Sequence, residues 1–113
     1  EKNLYSTLDP PILAFCGIGD PNSFKVVFKS MGIKIDYYKI FKDHAKYNVR
    51  DLKLLLNEIK NLEINSVITT EKDLLKLPEW FIGDVDIFIL QMVVEFPPRQ
   101  EEILMESVKK VLL

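Results

Sequence analysis

A three-layer α/β/α sandwich with a mostly parallel, Rossmann-like sheet of roughly four strands is the fold this sequence predicts. Three observations predict it. Short apolar or β-rich runs have the length of buried strands, amphipathic helical stretches separate them, and no hairpin signal joins two neighbours. Strands that alternate with helices run parallel, because a parallel connection needs a crossover long enough to hold a helix.

The first strand is Ile12-Leu13-Ala14-Phe15-Cys16, apolar throughout and stopped by Gly17. Asp20 then offers an N-cap and Pro21 a first-turn proline; Phe24, Val27, Phe28 and Met31 follow at i, i+3, i+4, i+7, and Gly32 ends this helix. Residues 34 to 41 carry Ile35, Tyr37, Tyr38, Ile40 and Phe41, which fits a second strand. Asn48 with Asp51 resembles a capping box before a helix whose apolar face is Leu52, Leu55, Leu56 and Ile59. Ser66 to Thr69 form a third strand; Thr70 with Asp73 caps a short helix running to Leu77 and halted by Pro78. Trp80 and Phe81 are expected to cover the sheet edge. Residues 86 to 96 make a fourth strand. Pro98 to Leu113 then read as a closing helix, with Glu101 and Glu102 in its first turn and Lys109 and Lys110 in its last, the order that complements a helix dipole.

The 113 residues, 48% of them hydrophobic, suffice for one core, so a single α/β domain over 1–113 is expected. A net charge of -2 without a Lys/Arg cluster argues against nucleic acid as a partner. The lone Cys16 excludes an internal disulfide and fits a reducing, cytoplasmic compartment. No apolar stretch approaches the roughly 20 residues that span a bilayer. The start at Glu1-Lys2-Asn3, without an initiator Met, reads as a beginning inside a longer protein.

In such folds chemistry gathers beyond the carboxyl ends of the strands, which selects three loops. The loop Gly17-Ile18-Gly19-Asp20-Pro21 has two glycines that permit close approach of a ligand. It has Asn22 where a dinucleotide fingerprint wants glycine, and it equally reads as a plain strand-to-helix turn. The loop Phe41 to Tyr47 carries the only histidine, His44, directly after Asp43. Imidazole titrates near neutrality and can take a proton from a hydroxyl nucleophile, while the plain alternative is an exposed loop histidine. One His and one Asp are too few ligands for a metal. The third loop, Thr69 to Asp73, offers Thr70, Glu71, Lys72 and Asp73 for a phosphate or sugar; the caps alone account for Thr70 and Asp73.

Three ordered blocks now stand together: LAFCGIGDP with Ser23-Phe24 at 13 to 24, FKDHAKY at 41 to 47, and ITTEKDLLKLP at 68 to 78. In order and spacing they resemble the C-terminal half of the tetraacyldisaccharide 4'-kinase family. The resemblance implies an enzyme that moves the γ-phosphate of ATP, with Mg²⁺, to the 4'-hydroxyl of a tetraacyldisaccharide 1-phosphate in lipid A synthesis. It implies two α/β/α lobes with the active site between them, the phosphate-binding loop and a membrane-associating helix belonging to an N-terminal lobe outside this sequence. The localisation it implies is cytoplasmic, peripheral to the inner membrane of a Gram-negative-type bacterium. By resemblance His44 is the proton acceptor, working beside an aspartate of the other lobe, with Asp43 orienting its loop. Gly17, Gly19, Thr70, Glu71, Lys72 and Asp73 take substrate or supporting roles. Ala45 and Lys46 depart from many relatives. The residues agree with a missing phosphate loop: Gly17, Gly19, Gly32 and Gly83 are the only glycines, so no G-x-x-x-x-G-K-[ST] can be written. The chain alone is thus expected to bind neither ATP nor Mg²⁺ and to be inactive. A stand-alone α/β module holding a small phosphorylated ligand at Gly17 and Lys72 is the alternative. A third reading, an interaction domain, draws on the apolar Val111, Leu112 and Leu113.

Overall fold

The computed structural model describes residues 8–17, 19–42, 46–95 and 103–111. Strand β1 (Ile12–Cys16) is buried along its whole length and lies inside the sheet. It pairs in parallel with β2 (Tyr37–Ile40) on one side and with β3 (Ser66–Thr70) on the other; β3 pairs in parallel with β4 (Ile87–Glu95). A fifth strand, β5 (Ile103–Lys110), joins β4 antiparallel, giving the order β2-β1-β3-β4-β5.

Side chains of a strand point alternately to opposite faces, and β1 divides the core accordingly. Ile12, Ala14 and Cys16 join Phe24 and Phe28 of helix α1 (Pro21–Ser30), together with Ile33, Ile68 and Phe88, in one apolar cluster. Leu13 and Phe15 face the other way, onto Leu52, Leu55 and Ile59 of helix α2 (Val49–Asn61) and Phe81 of helix α4 (Glu79–Asp84). Helices therefore cover both faces. Phe15 is the hub of the second cluster, meeting Phe41, Tyr47 and Phe81 edge to face at centroid distances of 6.2, 5.8 and 6.2 Å. Each such contact adds about 0.5–1.5 kcal/mol beyond area burial.

The helix ends follow from single residues. The Asp20 carboxylate accepts from the Ser23 hydroxyl at 2.6 Å and from Ser23 N–H at 3.3 Å; these bonds, the hydroxyl first, hold its pKa below the usual value. The Asn48 side chain accepts from Asp51 N–H at 2.9 Å at the start of α2. Both helices close alike: Ile33 N–H returns to Phe28 O and Ile64 N–H to Ile59 O, with the preceding residue left-handed. That residue is Gly32 (φ 74°) after α1 but Glu63 (φ 54°) after α2, where a side chain raises the cost.

The closing segment differs from the expected helix. Within Pro98–Leu113, residues 103–110 form β5, and the rest of the predicted helix apart from Val111 lies outside the described residues. Charges at helix ends contribute about 0.3–1 kcal/mol each. The antiparallel ladder pairs eight residues, from Phe88↔Lys110 to Glu95↔Ile103, and satisfies the outer edge of β4. Ladder formation outweighs the dipole, so the sheet gains a fifth strand and one hairpin-type pairing. The described sequence also holds α4, unforeseen after Pro78. Trp80 on it is 42% exposed while Phe81 is fully buried, so Phe81 covers the sheet and Trp80 faces outward. β4 continues past the carboxyl end of β3: Thr70 pairs with Leu90, and Gln91–Glu95 pair with β5.

Candidate functional site

From β1 the chain turns into α1 on one face of the sheet and reaches β2. From β3 it turns into α3 (Glu71–Leu74) and α4, on the other face, and reaches β4. The neighbouring strands β1 and β3 thus send their connections in opposite directions, and their carboxyl ends are the topological switch point where doubly wound sheets open a crevice. Two buried bonds sew this point together. The Thr69 hydroxyl donates to Phe15 O at 2.8 Å, and Gly17 N–H donates to Asp73 Oδ1 at 3.2 Å.

Asp73 is the centre of the arrangement. It is 1% exposed, and its carboxylate takes three donors from three loops. Oδ1 accepts from Gly17 N–H and from the Tyr47 hydroxyl at 2.8 Å, and Oδ2 accepts from the Thr70 hydroxyl at 2.5 Å. Thr70 Oγ1 in turn accepts from Asp73 N–H at 3.0 Å, the N-cap bond of α3. A buried carboxylate is tolerated only when its lone pairs are satisfied, and here both oxygens are. Asp73 is therefore a tether with no acceptor position turned to solvent.

Tyr47 carries a role that the sequence reading did not give it. The residue is buried, its φ of 43° lies in the left-handed region, and its ring stacks edge to face on Phe41 at 5.0 Å and Phe15 at 5.8 Å. Left-handed backbone costs a residue with a side chain about 1–2 kcal/mol. The ring contacts and the bond to Asp73 offset this. Burial, then the hydrogen bond to Asp73, then the Asp73 charge push the phenol pKa far above its ordinary value, so Tyr47 is a fixed donor with no acid–base function near neutrality. One signal was available in the sequence: a tyrosine closing the histidine block, whose hydroxyl needs a partner once buried.

The predicted residues separate as follows. Gly17 is buried with its N–H engaged, and Gly19 is exposed. Thr70 and Asp73 are brought together with Gly17, whereas Glu71 and Lys72 are exposed on the first turn of α3 and make no ion pair with a described residue. Asp43 and His44 lie outside the described residues; the segment before them ends the β2 strand and Phe41, and the segment after them is pinned at Tyr47.

Among the described residues no group of three or more His, Cys, Asp or Glu is gathered, no buried polar side-chain atom lacks a partner, and the Asp73 oxygens are taken. No described helix is long and apolar enough to cross a membrane.

The family model for tetraacyldisaccharide-1-P 4'-kinase matches residues 2–110. Tetraacyldisaccharide 4'-kinase of Rhodopseudomonas palustris is 40% identical over 77 residues, which is 68% of this chain and 22% of that protein. The enzyme of that name from Desulfatibacillum aliphaticivorans is 31% identical over 90 residues, 80% of this chain and 24% of its own length. The one from Rickettsia bellii is 36% identical over 99 residues, 86% and 28% respectively. The chain spans about a quarter of the length of these curated relatives. No solved structure matches it.

Proposed function

This chain belongs to the tetraacyldisaccharide-1-P 4'-kinase family, and we propose that it is the C-terminal lobe of a two-lobe lipid A kinase. The complete protein transfers the γ-phosphate of ATP to the 4'-hydroxyl of a tetraacyldisaccharide 1-phosphate, at the cytoplasmic side of the inner membrane. ATP and Mg²⁺ are held by an N-terminal phosphate-loop lobe. His44 accepts the proton of the sugar hydroxyl as its oxygen attacks phosphorus. A carboxylate from the other lobe offsets the charge that the imidazole gains. Asp43 orients the loop, and Glu71 and Lys72, exposed on the first turn of α3, take a supporting role toward substrate. Alone, the lobe transfers no phosphate.

The observation that carries this reading is the Asp73 tether. It fixes the Gly17 loop, the helix after Thr70 and the downstream end of the histidine loop to one carboxylate at the switch point. An enzyme that relies on position for phosphoryl transfer needs such a rigid base. The same tether weakens the reading as a stand-alone phosphate-binding module, because the Gly17 N–H that would meet a phosphate is already donated to Asp73.

The test is a transfer assay with γ-labelled ATP and tetraacyldisaccharide 1-phosphate. The complete protein is expected to form the 1,4'-bisphosphate, and the 113-residue chain is expected to form none. A complete protein without that product, or an isolated chain that makes it, overturns the reading.

A further inference from the structure

We infer that Tyr47 is a positioning residue for phosphate transfer: its hydroxyl, held by Asp73, fixes where the chain that carries His44 returns to the sheet, and so acts on the rate through His44. The inference rests on the proton-acceptor role proposed for His44.

The segment that carries His44 leaves and returns at one place. Upstream, Phe41 N–H donates to Cys16 O at 2.8 Å, which roots the exit at the carboxyl end of β1. Downstream, the Tyr47 hydroxyl donates to Asp73 Oδ1 at 2.8 Å. The rings of Phe41 and Tyr47 meet edge to face at 5.0 Å, and both lie against Phe15 of β1. His44 is three residues from either anchor. Three residues of chain reach at most about 10–11 Å, so both anchors bear directly on where that histidine can stand.

The two anchors differ in what holds them. The upstream one is a backbone bond that continues the parallel pairing of β1 with β2. The downstream one depends on a side chain. A phenylalanine at position 47 would fill the same space against Phe15 and Phe41, so the ring supplies burial and the hydroxyl supplies direction. That direction is well defined because Asp73 is itself held: Gly17 N–H shares its Oδ1, and the Thr70 hydroxyl engages its Oδ2. The Tyr47 oxygen is thereby referenced to the carboxyl ends of both β1 and β3.

The backbone at Tyr47 needs this restraint. Its φ of 43° is left-handed, a conformation that a residue with a side chain leaves when nothing holds it. Downstream movement is blocked, since Asn48 starts α2, its side chain accepting from Asp51 N–H at 2.9 Å and its carbonyl from Leu52 N–H at 3.1 Å. Release of the hydroxyl is therefore expressed upstream, toward His44. Misplacing a reacting group by about 1 Å costs up to about a hundredfold in rate, while substrate held by other residues binds as before.

The test uses the complete protein, with kcat and KM measured for ATP and for the disaccharide acceptor. Tyr47→Phe is expected to lower kcat about tenfold to a hundredfold and to leave both KM values near those of the parent. Asp73→Asn keeps an acceptor oxygen for Tyr47 and is expected to lose less. The sharpest comparison adds Tyr47→Phe to His44→Ala. There the residual kcat is expected to fall no further, because a residue that acts through His44 has nothing left to act on. A purely structural role predicts the same factor in both backgrounds, and that result overturns the inference. So does a Tyr47→Phe kcat equal to that of the parent, a loss confined to KM, or an Asp73→Asn loss larger than that of Tyr47→Phe. If His44→Ala itself leaves kcat unchanged, the proposed function fails together with this inference; if His44→Ala is impaired and Tyr47→Phe is not, this inference fails alone.

Discussion

Tyr47→Phe removes one oxygen atom and leaves the ring, so it isolates the bond that ties the histidine loop to Asp73. The phenol meets Asp73 Oδ1 at 2.8 Å, and the two residues are 5% and 1% exposed, so bulk water has little access to replace the lost donor. Hydrogen bonds to charged groups contribute about 1.5–3 kcal/mol, and the ring contacts with Phe15 and Phe41 persist, so a loss of about 2 kcal/mol is expected. With a urea slope of about 1–3 kcal/mol/M for a domain of this size, the unfolding midpoint drops by about 1 M. Asp73→Ala strips the acceptor from Gly17, Tyr47 and Thr70 together and is expected to cost about 3–5 kcal/mol. The double variant should then lose less than the sum of the two single losses, by about 2 kcal/mol, the signature of residues that share one interaction. Urea denaturation of the 113-residue chain followed by circular dichroism measures all three. A Tyr47→Phe midpoint equal to that of the parent, or strict additivity, refutes the tether.

Two further outcomes follow from backbone and titration. Glu63→Gly relieves the left-handed φ of 54° at the end of α2 and is expected to stabilise the chain by up to about 1 kcal/mol, read as a raised thermal midpoint; a lowered midpoint contradicts the strain. The Tyr47 pKa is raised on folding, so its contribution is complete below the unfolded value near pH 10. Above that pH the unfolded chain loses the proton while the folded one keeps it, and stability falls by up to about 1.4 kcal/mol per pH unit. Tyr47→Phe should flatten this alkaline decline, and an unchanged slope in paired urea titrations contradicts it.

Local signals were legible, and distant ones were not. Asp20-Pro21, Asn48 with Asp51, and Thr70 with Asp73 mark helix starts through bonds three residues apart, and those caps stand where the residues place them. β1 was legible for a similar reason, being apolar along its whole length and buried along its whole length. α4 was not, because its six residues follow Pro78 without a side-chain cap. β5 was misread because Glu-first, Lys-last order describes a helix dipole, whereas the partner that settles the matter, β4, lies across the sheet. The tertiary task of Asp73 is hidden for the same reason. Its cap role spans three residues, but its partners Gly17 and Tyr47 are 56 and 26 residues away. Fold logic selected three carboxyl-edge loops, and Gly17, Tyr47 and Thr70 from them meet at Asp73, while the tyrosine that ties the middle one was passed over.

The proposal that this lobe supplies the proton acceptor is tested most directly by His44→Ala in the complete protein, with kcat and KM measured for the disaccharide acceptor. Loss of a positioned general base is expected to lower kcat by about 10²–10⁴-fold while KM stays near the parent value. A kcat that matches the parent contradicts the account, as does a loss expressed in KM alone.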